Sequence, residues 1–293
     1  MSDTLESLRH QIDGATKLNA VVHSMKALAA SGIGQFERAV ASLSDYYRTV
    51  ELALVAAFQH DRLNTVVTSD PQANAVGAVV FGSDQGLVGQ FNERLADFVC
   101  QSLRTFPSTR SIWVVGERMR NQLAEHGLNG SNLLAAPNSV AAIVPVIGEI
   151  LAEIEARQES GKTMQVYLFH NRPLGDASSE PVSERILPID QRWYRDLFQQ
   201  HWPSRTIPEV LGGSAQAVPG LLREYLFVSL FRACAESLAS ENASRLSAMR
   251  RAEKNIDELL GNVKQKFHRL RQATIDEELF DLIAGFEALP GEQ

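Results

Sequence analysis

The feature that most limits what this chain can fold into is a pair of long proline-free amphipathic segments, one at each end. The first 58 residues contain no proline. Apolar or small residues recur there at Leu5, Leu8, Ile12, Ala15, Leu18, Val22, Met25, Ala29, Ile33, Phe36, Val40, Leu43, Tyr47, Val50, Leu54 and Phe58. Steps of three and four in near alternation make a heptad seam, the pattern of a helix wound round a partner helix. A continuous helix of that length would extend roughly 80 Å at 1.5 Å per residue, too far for the core of one globular domain. From Leu221 to Leu289 proline is again absent. A second seam runs through Leu246, Met249, Ala252, Ile256, Leu260, Val263, Phe267, Leu270 and Thr274, and resumes at Leu279, Leu282 or Ile283, and Phe286. The stretch "ASENASR" (Ala239 to Arg245) interrupts the apolar rhythm, and its small residues suit a helix closely approached by a neighbour.

Two arrangements satisfy these seams. They can pair with each other as an antiparallel coiled coil within one chain, or each can serve a homodimeric rod. Similar seam lengths at opposite ends of the chain favour the first. Gly14, Gly32 and Gly34 lie inside the first seam. Each costs about 1 kcal/mol in a helix relative to alanine, so a bend, tight packing or a tolerated surface glycine is expected there.

Between the seams the pattern changes. "AVGAVVF" (Ala75 to Phe81) and "SIWVVG" (Ser111 to Gly116) read as strands, "NLLAAP" as a short one, and Thr163 to Asn171 and Val182 to Ile189 as two more. Helical stretches follow Asn92, a candidate N-cap, then Gly116, with a stop at Gly127, and then Ser139, with Pro145 in an early turn. Strands alternating with helices predict a partly parallel sheet, and the short connection between the last two strands predicts an antiparallel edge hairpin. The expected fold is therefore mixed α/β and α+β. It combines an antiparallel coiled coil of N- and C-terminal helices (residues 1–62 and 216–293) with a central Rossmann-like α/β domain and connection (63–215).

The central segment contains "VVFGSDQGLVGQFN", an apolar run entering a loop with Gly82, Gly86 and Gly89. A phosphate-binding loop of the G-x-x-x-x-G-K-[ST] type would need glycine where Leu87 stands and a lysine that the loop lacks. The dinucleotide fingerprint would put Asp84, a carboxylate, beside a pyrophosphate. The three glycines read as structural, with a positive φ expected at Gly86. No cofactor is expected. The seven histidines are scattered, and none has metal-ligand spacing with cysteine or carboxylate. His170, at the end of a predicted strand near a sheet edge, has the most enzyme-like location. Neither a G-x-S-x-G elbow nor an H-E-x-x-H helix occurs. A net charge of −7 argues against sequence-independent nucleic-acid binding. Cys100 and Cys234 read as reduced thiols. The N-terminus has no apolar signal core, and no stretch approaches the ~20 apolar residues of a membrane helix, so no direct membrane insertion is expected.

Three stretches carry a family resemblance. "VHSMKALAAS" in the first helix, "GSDQGLVGQFN" in the centre, and "LASENASRLSAMRRAEKN" followed by "RQATIDEEL" near the end are similar, in order and separation, to motifs of the gamma subunit of F-type ATP synthases. The resemblance covers essentially the whole chain. It implies a non-catalytic central-stalk rotor in which the terminal helices form a shaft inside a ring of alpha and beta subunits. The α/β domain would sit against the epsilon subunit and the membrane c-ring, peripheral to the cytoplasmic face of the bacterial inner membrane. Turning the shaft would couple ion flow to ATP synthesis or hydrolysis at the beta subunits. By the same resemblance Arg271 and Gln272 match a pair that contacts a beta-subunit loop, and Met25 and Lys26 lie near its acidic lever segment. The local charge agrees: from Arg245 to Arg271, eight basic side chains face three acidic ones, an excess of five positive charges. The sequence departs from the family at Gly32 and Gly34, where basic residues are common, at Asp276 in place of threonine, and at Gln85 in place of arginine. These departures suggest a divergent branch, such as an alternate ATPase moving sodium. Two other classes remain beside this reading: a self-associating coiled-coil scaffold with an α/β head, and a nucleotide-binding α/β enzyme.

Overall fold

A computed structural model describes residues 4–60, 75–106, 109–130, 132–159, 164–175, 178–188, 206, 208–211 and 213–287. The expected chain-end position Leu289, the boundary at 62/63 and most of the connection over 190–220 lie outside the described residues. The elements in chain order are α1 (Leu5–His60), β1 (Ala75–Phe81), α2 (Phe91–Leu103), β2 (Thr109–Val115), α3 (Glu117–Glu125), β3 (Asn132–Leu134), α4 (Val140–Glu159), β4 (Met164–Gly175), β5 (Ser178–Leu187) and α5 (Ser214–Glu287). Two compact units result, one from Met1–Leu28 with Ser247–Gln293 and one from Ala29–Leu246.

The first unit is a two-helix antiparallel pair. Val22 of α1 and Met249 and Ile256 of α5 form its buried centre, with Ala15, Met25, Ala248, Ala252 and Leu260 packed against them. The direction is set by cross-helix contacts: Asn19 Nδ2 donates to Asp257 Oδ1 (3.1 Å), and Lys26 Nζ reaches Glu253 Oε2 (2.7 Å). As numbers rise along one helix they fall along the other. The seams predicted from sequence are therefore paired within one chain, with one exception in α1: Leu18 is 53% exposed. Beyond Thr274 the α5 seam is exposed at Leu279, Leu282 and Ile283. The register explains this, because residues past about 271 run beyond the level at which α1 begins.

The second unit is built on a five-stranded sheet of order β3-β2-β1-β4-β5. All neighbours are parallel except β4 and β5, which form the expected edge hairpin. Strand periodicity sorts the core into two faces. Val76, Ala78 and Val80 of β1 pack with Leu95, Ala96 and Val99 of α2 and Met119 and Leu123 of α3. Val79 and Phe81 of the same strand point the other way, toward Ile143, Ile147 and Ile150 of α4, Leu54 and Phe58 of α1, and Leu230 and Phe231 of α5. Layers of helix thus cover both faces of the sheet.

Three local expectations change. Helix α2 begins at Phe91 with Gln90 at its cap position, and Asn92 lies buried inside the first turn instead of capping it. Helix α5 begins at Ser214, two residues before the expected boundary at 216, with Pro219 in its opening turns, where one missing backbone bond is absorbed. Among the α1 glycines, Gly32 is a close approach: a Cβ there would stand 2.9 Å from the Asn242 side chain, whereas Gly14 faces open space. "ASENASR" is helical throughout, and α1 comes closest to it where Gly32 faces the Asn242 side chain.

Candidate functional site

In an open α/β sheet the natural ligand crevice lies at the carboxyl ends of the strands, where successive crossovers diverge to opposite faces. Here that point lies between β1 and β4, since α2 and α3 cover one face and α4 the other. The glycine loop leaves β1 at this crevice. The groups at its start, Gly82 to Asp84, are held by protein partners. Gly82 N–H donates to Val115 O (2.9 Å), and Arg118 N–H donates to Ser83 O (3.0 Å). Ser83 N–H donates to Asn92 Oδ1 (3.1 Å), and Asn92 Nδ2 donates back to Ser83 Oγ (2.8 Å). Asp84 bridges two further segments: its Oδ1 accepts from Glu117 N–H and its Oδ2 from Ala136 N–H, both at 2.9 Å. A carboxylate on the first N–H of α3 supplies the cap that Gly116 lacks a side chain to provide.

The crevice itself is occupied by α5. Ser237 Oγ donates to Phe81 O, the last carbonyl of β1, at 2.8 Å, and Ser240 Oγ donates to Asn171 O of β4 at 2.9 Å. Asn171 Nδ2 in turn donates to Phe91 O (3.2 Å), joining β4 to the start of α2. Glu241, the next residue of α5, is buried and paired with Arg245 at 2.6 Å. Burial pushes its carboxyl above the ordinary value. Arg245 opposes that shift, and the nearby Asp84 charge adds to it.

The three loop glycines divide in role. Gly82 is a close approach, since a Cβ would stand 2.2 Å from Met119 Cβ. Gly89 holds a positive φ of 60°. Gly86 does not hold the expected positive φ; the left-handed residue beside it is Leu87, at φ 62°. At Gly86 an added Cβ would meet only the end of the Arg118 side chain, 3.3 Å away.

His170 is not at a solvated edge. It is fully buried, with Nε2 2.8 Å from Glu236 Oε2. Burial raises the Glu236 carboxyl, but the His170 hydrogen bond and the charges of His170, Arg232 and Arg172 outweigh it and leave the group below the ordinary carboxylate value. Among the described residues no cluster of three metal-ligating side chains occurs, and no helix is long and apolar enough to cross a membrane.

The four residues expected to meet a beta subunit all fall in the first unit. Met25 is part of the helix-pair core. Lys26 is engaged with Glu253, which His23 also approaches (3.3 Å). Arg271 and Gln272 are exposed on α5. Sequence reading assigned no structural role to Asp84, Ser237 or Ser240 and took Asn92 for a cap; Asp84, Asn92 and Ser240 sit in the quoted motifs, and Ser237 lies one residue before the last of them. The available signal was polar residues embedded in small and apolar surroundings.

A pair of antiparallel terminal helices, with an α/β domain inserted between them in sequence and its strand-end crevice filled by one of those helices, defines a stalk-type subunit. A family model described as ATP synthase matches residues 4–289. The ATP synthase gamma chain of Hydrogenobaculum sp. is 24% identical, covering 96% of this chain and 97% of its own length. That of Methylibium petroleiphilum is 25% identical, at 97% and 98% coverage. In fold the chain is similar to one from the Euglena gracilis mitochondrial ATP synthase in rotational state 3, with a TM-score of 0.62 and 15% identity over 99% of this chain and 98% of that one. It is also similar to a central-stalk chain of the Tetrahymena thermophila enzyme, with a TM-score of 0.57 and 19% identity over 79% of this chain and 99% of the other. The chain belongs to the ATP synthase gamma-subunit family.

Proposed function

We propose that the chain is the central-stalk rotor subunit of an F-type ATP synthase, contributing no catalytic residue of its own. It couples ion flow through a membrane c-ring to conformational change at the beta subunits, with alpha, beta, epsilon and the c-ring as partners. The observation that carries this reading is the crevice filled by α5. The one place where an α/β sheet would bind a nucleotide is instead the joint between sheet and helix, so the domain serves a mechanical end. The shaft works by presenting different faces to beta subunits, each face having a different interaction free energy with each nucleotide state. Arg271 and Gln272, exposed and outside the helix-pair core, suit contact with a beta-subunit loop. Met25 and Lys26 suit a supporting role, since both also hold the helix pair together. The complex would be peripheral to the cytoplasmic face of a bacterial inner membrane. A self-associating scaffold has little to recommend it, because the α1 seam is already covered by α5 of the same chain.

The test is affinity purification of the tagged chain from membranes of its host, followed by ATPase and ion-pumping assays. Recovery of alpha, beta, epsilon and c subunits with activity that depends on the chain is expected. A stable homodimer free of ATPase subunits would overturn the reading.

A further inference from the structure

The structure contains a closed ring of charge that neither the fold nor the motifs require. Glu236 of α5 accepts from Arg172 Nε of β4 (3.4 Å), and Arg172 Nη2 lies 3.9 Å from Glu184 of β5. Glu184 takes Arg232 Nη2 of α5 on both oxygens (2.8 Å each), and Arg232 Nε lies 4.0 Å from Glu236, closing the ring. His170 enters it through Glu236. On its α1 side the Arg232 guanidinium stacks 5.0 Å over the Tyr47 ring, which packs on Tyr225. All but Arg172 are mostly or wholly buried: side-chain exposure is 1% at His170, 14% at Glu236, 26% at Glu184, 28% at Arg232 and 45% at Arg172.

The ring's position is what gives it meaning. Pairing of β1 with β4 ends at Val80 and Phe169, while β4 and β5 stay paired as far as Gly175 and Ser178. From His170 onward the hairpin is a two-stranded ribbon standing beyond the sheet. Such ribbons are marginal by themselves. The ring sits at the ribbon's base and ties both of its strands to α5. Apolar contact resists separation of surfaces but is non-directional and yields to sliding. Guanidinium–carboxylate pairs fix relative orientation as well as distance. Buried ion pairs are poor contributors to net stability, and one well-attested use is conformational specificity.

We propose that this four-membered ring, with His170 attached to it, is a torsional key that locks the β4–β5 ribbon to helix α5, so that the α/β domain follows the helix under rotational load. The inference rests on the proposed rotor function. Two variants test it in the assembled complex. Arg232→Met with Glu184→Leu replaces one side of the ring by apolar side chains of similar size, an exchange that commonly preserves stability. Arg172→Gln opens another side at the most exposed member and carries little folding risk. Both variants should assemble and hydrolyse ATP at wild-type rates without an ion gradient. Against an imposed gradient both should pump several-fold fewer ions per ATP. Wild-type pumping per ATP against the gradient, in either variant that assembles, would overturn the key. Failure of the unmodified chain to support any pumping would count against the rotor function itself, and the two failures are thereby distinguishable.

Discussion

Alanine at Gly82 and at Gly86 should have opposite consequences, although the two glycines are four residues apart in one loop. At Gly82 the new Cβ would stand 2.2 Å from Met119 Cβ, 2.6 Å from its Cγ and 3.0 Å from Asn92 Oδ1. Carbon atoms prefer roughly 3.5–4.0 Å, so more than an ångström must be recovered by movement. Met119 is fully buried, and its Cβ is fixed to the backbone of α3. That helix cannot slide away freely, because Arg118 N–H is bonded to Ser83 O and Glu117 N–H to Asp84. Overpacking costs about 1–3 kcal/mol, and a lost loop–helix hydrogen bond about 1 kcal/mol more. Reduced freedom of the unfolded chain returns about 0.4–1 kcal/mol, leaving a net destabilisation of about 2–3 kcal/mol. For a unit of this size the melting temperature should fall by about 5–10 °C. At Gly86, with no positive φ and only the flexible end of Arg118 nearby, the unfolded-state effect dominates. That variant should match or exceed the wild type by up to about 1 kcal/mol. Urea unfolding of the full chain, followed by its three tryptophans, all located between the start of β2 and the start of α5 in sequence, reads the second unit. A Gly82→Ala protein as stable as wild type, or a Gly86→Ala protein destabilised by as much as Gly82→Ala, would refute the assignment of close approach to the first glycine alone.

Three other outcomes follow from the geometry. Asp84→Ala removes acceptors from two backbone N–H groups and should destabilise the α/β unit by about 2–3 kcal/mol in the same unfolding assay, with Asp84→Asn recovering part of the loss. Because the folded carboxyl of Glu236 lies below its ordinary value of 4.5, it contributes stability that is complete above the unfolded value and lost as pH falls through the folded one. Acid unfolding of Glu236→Gln should accordingly show a shallower loss of stability below about pH 4.5 than wild type, and identical acid profiles would contradict the pairing. Arg271→Ala with Gln272→Ala should change the ATPase rate or pumping of the assembled complex while circular dichroism of the free chain stays unchanged, since both side chains are exposed and outside the helix-pair core.

Much of this fold was legible because periodicity reports burial directly. The heptad steps found both helices, and β1 was bounded correctly from an apolar run and the glycine after it. What stayed hidden was set by contacts distant in sequence. Leu18 has the right spacing for the seam yet is half exposed, since the partner surface is set by α5 and not by α1. Asn92 has the composition of a cap, but its side chain turns inward to Ser83, nine residues back. Gly86 looked like the residue needing a left-handed backbone, whereas Leu87 adopts it. Only the i,i+4 spacing of Arg232 and Glu236 is local; their other partners lie on β4, β5 and α1, which the sequence does not mark. Pattern reading finds elements and faces; it does not find which polar groups close on one another across elements.

Residues in or beside the motifs that carry the family resemblance lie far apart in sequence, yet several of them meet along residues 237–242 of α5. Ser237 and Ser240 bond the carbonyls at the ends of β1 and β4. Glu241 lies within the electrostatic reach of Asp84, in the glycine loop. Asn242 fills the space beside Gly32, one residue beyond the N-terminal motif. Residues 237–242 thus touch the sheet on one side and α1 on the other. Small side chains are needed there because three backbones converge, and hydroxyls and amides are needed because strand ends present carbonyls that would otherwise be buried without partners. A nucleotide-binding sheet leaves that crevice open so that a ligand can satisfy those groups. Here a helix of the same chain satisfies them permanently. The resemblance in these motifs therefore tracks the physical requirements of a joint, within the second unit, between the sheet and helices α1 and α5, and a substitution that enlarged Ser237, Ser240 or Gly32 would strain that joint before it touched any surface presented to a partner.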